Sequence, residues 1–143
     1  MRQTVALLDV LIDLCEEEST TLAVSSTRRA LAAHSADAIT AVVGYLEGNF
    51  RRPVRREEVA AAAVSLSPSS VSRLLRSHLG TTMTDYVLNL RLDAACRELV
   101  ETNMLIATIA HDCGFSNLAN FNRQFRQKRS LTPRDYHHAF RPF

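Results

Sequence analysis

The sequence predicts an all-α protein in which two pairs of helices, each a short helix, a tight turn and a longer helix, are joined by one long helix and preceded by an N-terminal amphipathic helix. Three observations carry this. Glycine and proline number only four each in 143 residues, so the chain is rarely interrupted. Apolar residues recur three and four positions apart, while strand-like alternation with hairpin signals is nowhere clear. Ser67-Pro68 and Thr132-Pro133 each put a hydroxyl cap before a proline at the first helical position, where its missing N–H is harmless.

Residues 4–18 place Leu7, Leu11 and Leu14 on one stripe with Leu8, Ile12 and Cys15 beside it. That face is wider than a short isolated helix can bury alone, so residues 1–18 are read as a dimerisation or docking helix. Residues 19–34 carry Ser19, Thr20, Thr21, Ser25, Ser26 and Thr27 and are read as a linker, which starts the globular part at residue 35. A helix over 36–49 then faces Ile39, Val42, Val43 and Leu46 inward and gives way near Pro53. The next covers 55–64. A third runs from the Ser67 cap to Gly80, a residue suited to the left-handed conformation that ends helices.

The long helix covers 83–101, with Tyr86, Leu90, Ala94 and Leu99 as its inward stripe and Leu92 and Cys96 alongside. At 1.5 Å per residue it spans about 28 Å. After Thr102-Asn103, a short helix over 105–112 buries Ile106, Ile109 and Ala110 and breaks at Gly114. Ser116 or Asn117 caps a further helix to Arg129, anchored by Phe121 and Phe125 one turn apart. A last helix opens at Thr132-Pro133 and ends near Phe140.

Composition narrows the function classes. With 46% apolar residues the chain can bury a real core. Cys15, Cys96 and Cys113 are far apart and form no CxxC pair, so neither a disulfide framework nor a thiolate zinc site is expected, and a reducing cytosol fits. No apolar run is long enough for a membrane span and no signal-peptide pattern opens the chain, so a cytoplasmic location is expected. Net charge is only +2, but residues 1–50 carry three basic and seven acidic side chains against fourteen and eight in residues 51–143. Sixteen of the seventeen basic residues are arginine, whose planar fork suits phosphate and guanine edges, so the basic part points to a polyanionic partner.

The two short-helix, turn, longer-helix units fall at about 55–79 and 105–129, which makes them two helix-turn-helix subdomains. In such a unit the second helix enters the major groove while its back packs on the first, so apolar anchors must alternate with a polar, arginine-bearing face. In the first unit Val71, Leu74 and Leu75 face the core and leave Ser69, Ser70, Ser72, Arg73 and Arg76 outward. In the second, Phe121 and Phe125 face the core and leave Leu118, Ala119, Asn122, Arg123 and Arg126. These ten are the candidate DNA-binding residues: arginine can bond guanine O6 and N7, asparagine adenine, and leucine or alanine can touch a thymine methyl. The competing reading makes each arginine a solvated face residue or a partner of Asp85, Asp93 or Asp112. Over 116–129, however, four positive charges stand with no negative one, and they repel unless a polyanion is near.

Arg91-Leu92-Asp93-Ala94-Ala95 followed by Leu99, Thr102, Ile106, Ile109-Ala110, Gly114-Phe115, Phe121, Arg123, Phe125-Arg126 and Thr132-Pro133…Tyr136 resembles the signature of the AraC/XylS family. Ser67-Pro68-Ser69, Ser72-Arg73 and Gly80 extend the resemblance over about 37–140. It implies a bacterial transcription regulator, usually an activator, whose two recognition helices read successive major grooves of double-stranded DNA, with RNA polymerase as a further partner. A stiff helix between the units then sets the spacing of about 34 Å that one DNA turn requires. The N-terminal helix and linker resemble the end of a missing effector domain and suggest a homodimer; the effector pocket is expected outside this chain.

Two departures from the family pattern lead to expectations. Ser130 stands where the family usually has glycine, which predicts a different turn after the last recognition helix. The stretch Val59–Leu66 carries one residue more than usual before Ser67, which would alter how the first recognition helix is presented. Catalysis is not expected, since His111 and Cys113 have no third orienting group, and no cofactor is implied. Adjacent His137 and His138 diverge by about 100° on a helix and cannot clasp one metal ion, so they are read as surface residues. The alternative to DNA reading is a helical protein-interaction module using its basic face on an acidic partner.

Overall fold

The computed structural model describes residues 2–63 and 66–141, with side chains described from Val24 onward except that of Leu31. The described residues form seven helices and no strand: α1 (Arg2–Asn49), α2 (Arg56–Ala62), α3 (Pro68–Leu79), α4 (Met83–Glu101), α5 (Ile106–Asp112), α6 (Leu118–Arg129) and α7 (Pro133–Phe140). Residues 1–38 and 39–143 are two compact units. The first is part of α1, and its described side chains from Val24 to His34 are exposed. The leucine stripe Leu7, Leu8, Leu11, Ile12, Leu14 and Cys15 lies outside the residues whose side chains are described.

The expected linker over 19–34 is helical, within α1. Ser and Thr cost a helix only a few tenths of a kcal/mol each relative to Ala, about 0.7 at most, and this stretch contains neither Gly nor Pro to break it.

The second unit holds two cores. One gathers Val42 and Leu46 of α1, Val59, Ala60 and Ala63 of the α2 region, Val71 and Leu75 of α3 and Val87 of α4. The other gathers Leu92, Ala94, Ala95 and Leu99 of α4 with Ile109, Ala110, Cys113, Phe115, Phe121 and Phe125. Helix α4 thus serves both. Its Tyr86 and Leu90 are half-buried on the first core and Leu88 and Cys96 on the second, while Val87 and Ala95 are buried. The expected stripe Tyr86, Leu90, Ala94 and Leu99, with Leu92 and Cys96 alongside, faces these cores, and Val87, Leu88 and Ala95 join it because a helix packed from two sides has more than one apolar face.

Helix ends follow local chemistry. Ser67, Thr82, Asn117 and Thr132 accept hydrogen bonds from the backbone N–H three residues on, each satisfying a donor the first turn leaves orphaned. Gly80 ends α3 at φ 64° and donates its N–H to Arg76 O. Ser130 ends α6 at φ 62° with its N–H on Arg126 O, so the different turn expected there is not found. Serine takes the glycine conformation and bears its strain. Ile106 is half-buried rather than buried, and residues 64 and 65, part of the stretch with the extra residue, lie outside the described residues.

Candidate nucleic-acid interface

Helix α6 is fixed from behind by an aromatic chain. Phe121 meets Phe115 at 4.9 Å and Phe125 at 5.5 Å between ring centroids, and Phe125 meets Tyr136 of α7 at 5.5 Å. Edge-to-face pairs of this kind hold ring orientation as well as burying area. With Phe121 and Phe125 fully buried, Leu118, Ala119, Asn122, Arg123 and Arg126 are all exposed on the outer side. The Arg123 guanidinium donates to Asn120 Oδ1 at 3.0 Å, and the Asn120 N–H donates to the Asn117 cap at 2.7 Å. The cap, Asn120 and Arg123 thus form one relay that orients the arginine before any ligand arrives.

On α3, Val71 and Leu75 are buried and Leu74 is half-buried, leaving Arg73 and Arg76 exposed. The serines are less free than the sequence suggested. Ser67 Oγ lies 2.9 Å from Ser69 Oγ and 2.8 Å from Ser70 Oγ and accepts the Ser70 N–H at 3.2 Å. Ser69 is exposed, but its hydroxyl and that of Ser70 are engaged at the cap, and Ser70 and Ser72 are half-buried. The helix thus presents a compact, self-satisfied N-terminus with the two arginines beyond it.

The acidic partners proposed for these arginines are engaged elsewhere. Asp85 accepts from Thr82 at 2.8 Å, Asp93 pairs with Arg129, and Asp112 lies 3.5 Å from His111. Among the described residues, Arg73, Arg76, Arg123 and Arg126 have no carboxylate within ion-pair distance. The four positive charges over 116–129 are, however, not all uncompensated, since Arg129 is held by Asp93 across 36 residues of sequence, so for this arginine the competing reading holds.

One feature of this surface escaped the sequence reading. Ile106, Leu118, Asn122, Arg123, Arg126, Gln127 and the α7 start at Thr132, Pro133 and Arg134 line an open groove of about 770 Å³. Arg134 therefore joins Arg123 and Arg126 along one basic wall. The signal was available: Arg134 follows the Thr132-Pro133 cap and so sits in the exposed first turn of α7.

Residues set aside for catalysis or metal are placed apart. Cys113 is fully buried, and loss of solvation, with Glu98 adding to it, pushes its thiol up to about 11. His111 is exposed. His137, expected at the surface, is half-buried, with Nδ1 2.5 Å from Leu99 O; the carbonyl only accepts, so Nδ1 carries the hydrogen and ties α7 to the end of α4. His138 is exposed. Among the described residues no group of three His, Cys, Asp or Glu could hold a metal ion, and no helix is long and apolar enough to cross a membrane.

A family model described as a helix-turn-helix domain matches residues 60–139. A transcriptional activator of Pectobacterium carotovorum, RhaS, is 36% identical over 100 residues, covering 70% of this chain and 36% of the relative. The regulator GlxA of Rhizobium meliloti is 36% identical over 96 residues, covering 67% and 29%. The chain thus spans about a third of the length of the curated relatives it matches. Among solved structures, a Chromobacterium violaceum regulator described by its AraC-type DNA-binding domain superposes with a TM-score of 0.68 at 31% identity, over 74% of this chain and 94% of that one. The DNA-binding domain of AdpA, solved in complex with a target DNA, shares the fold with a TM-score of 0.61 at 23% identity, over 74% and 91%. Two helix-turn-helix subdomains on one linking helix, the outward arginines and these likenesses agree: the chain belongs to the AraC-type family of helix-turn-helix DNA-binding transcription regulators.

Proposed function

We propose that this chain binds double-stranded DNA sequence-specifically, with α3 and α6 in successive major grooves, and so regulates transcription, as an activator. The observation that carries the reading is the set Arg73, Arg76, Arg123 and Arg126: all exposed on the outer faces of α3 and α6, and without a carboxylate partner among the described residues. Asn122 and Arg123 are the base readers on α6 and Arg73 the reader on α3, with Leu118 and Ala119 placed to touch thymine methyls. Arg76, Arg126 and the helix N-termini position phosphates, and Ser69, Ser70 and Ser72 let α3 sit close to the backbone. RNA polymerase is the protein partner an activator needs, and residues 1–18 are the dimer contact.

Selection of duplexes from a random pool by the purified chain, followed by titration of the winner and of a scrambled duplex, tests this. We expect the winner to hold two half-sites about one DNA turn apart, and affinity to fall with salt at a log–log slope of about −2 or steeper. The scrambled duplex should bind at least about a thousandfold more weakly at physiological salt. Arg123→Ala should cost about 1–3 kcal/mol at one base pair and relax the choice there; an equal loss on every sequence would make Arg123 a phosphate contact. If no duplex outcompetes random DNA, the reading fails and the basic face belongs to an acidic protein partner.

A further inference from the structure

We infer that the short segment Phe50–Arg52 is a clasp that locks the two helix-turn-helix subdomains into one rigid reader, with Arg91 as its positioning residue; the inference rests on the DNA-reading function proposed above.

By sequence this segment belongs to the first subdomain, since it links α1 to α2. Its bonds nevertheless reach both sides: the Arg52 guanidinium donates to Asn49, Tyr45 and Glu58 of the first subdomain, while the rest of the segment is tied to α4 and α5. Arg91 of α4 donates from Nε to Phe50 O at 2.7 Å and from a terminal nitrogen to Arg52 O at 3.0 Å, so one planar fork holds two carbonyls of the segment. Arg51 reaches the other way, donating to Asp112 O at the end of α5 and to the Glu98 carboxylate of α4, both at 3.0 Å. The Arg51 carbonyl lies so close to Gly114, in the α5–α6 turn, that a Cβ there would stand 2.5 Å from its oxygen. Phe50 itself packs against both cores.

These contacts matter because none of the closely packed helix pairs joins the two recognition helices directly. The closely packed helix pairs are α2 with α3, α4 with α5 and α7, and α6 with α5 and α7, and none of them joins α2 or α3 to α5 or α6. Alongside α4, which both subdomains share, the segment 50–52 has bonds to both. A single helix can bend and twist about its axis. A second attachment displaced from that axis removes this freedom, and with it the entropy a loose pair of readers would lose on binding two grooves at once.

The test uses the whole chain carrying spin labels on unnatural amino acids at Ser77 and Gln127, exposed positions near the ends of α3 and α6. The unmutated protein should give one narrow distance distribution, and Arg91→Met should broaden it at least about twofold while unfolding stays cooperative. On duplexes with one base pair inserted between or deleted from the half-sites, the unmutated protein should lose about tenfold or more in affinity, and Arg91→Met should flatten this preference to within about threefold. An unchanged distribution overturns the clasp, and a broadened one with an unchanged spacing preference overturns its role in reading. Should Arg91→Met fail to fold, Arg51→Ala, which removes only an exposed side chain, decides by the same two readouts. If the unmutated chain binds no duplex preferentially, the DNA reading fails, while the label distances in the free protein still decide the clasp.

Discussion

Replacing Gly114 by alanine is the sharpest perturbation of the fold. The residue has φ +90°, and an added Cβ would lie 2.5 Å from Arg51 O, 2.9 Å from Arg51 C and 3.0 Å from Arg91 Nε. Two of these neighbours are backbone atoms of a segment already fixed by Arg91, so they cannot swing aside. A positive φ costs a residue with a Cβ about 1–2 kcal/mol, and forcing an extra carbon into a filled space about 1–3 kcal/mol. The stiffer unfolded chain returns about 0.4–1 kcal/mol, so the net loss is about 3 kcal/mol. Gly80 supplies the control: its φ is +64°, but nothing lies within 4 Å of an added Cβ, so Gly80→Ala should cost only about 1 kcal/mol. Urea unfolding followed by circular dichroism measures both, and by heat Gly114→Ala should lower Tm by roughly 12–20 °C. If the two variants lie within about 0.5 kcal/mol of each other, the close approach of Gly114 to Arg51 carries no energy and the reasoning is wrong.

Two further substitutions probe strain and burial. Ser130→Gly should stabilise the protein by about 0.5–1 kcal/mol, because serine at φ 62° bears a strain glycine lacks; an unchanged or lower midpoint in urea would contradict this. Cys113 keeps its proton up to about 11 when folded, whereas the unfolded thiol ionises near its ordinary value of 9. The unfolded state therefore releases its proton first, and stability should fall by up to about 2 kcal/mol as pH rises from about 9 to about 11. Cys113→Ala should show a smaller fall over that window in urea titrations, and an identical fall would remove Cys113 as its source.

What was legible in the sequence is what neighbours along the chain decide. The starts of α3, α6 and α7 follow from Ser67, Asn117 and Thr132, each of which acts on a backbone group three residues away. The outward arginines of α3 and α6 followed from the spacing of Val71 and Leu75 and of Phe121 and Phe125. Interactions across tens of residues were not legible. Asp93 is a candidate arginine partner by sequence but spacing does not single out Arg129, and nothing near Arg91 announces Phe50 and Arg52. The two-sided burial of α4 was hidden because a periodicity argument assigns one face to one core. Residues 19–34, read as a linker on their polar composition, are helical within α1, since only glycine or proline there would have enforced a break.

The separation of anchors from readers has a consequence for how such a protein can change over generations. Phe121 and Phe125 fill the second core and Val71 and Leu75 the first, while Arg123, Asn122 and Arg73 project away from both. If these three read bases as proposed, a mutation in one of them alters what is recognised without opening a void, so it escapes the stability threshold that purges most core substitutions. Because the cores are distinct, one half of a target site can drift while the other is still held. New specificities can then arise by single steps that never pass through an unfolded or unbound ancestor.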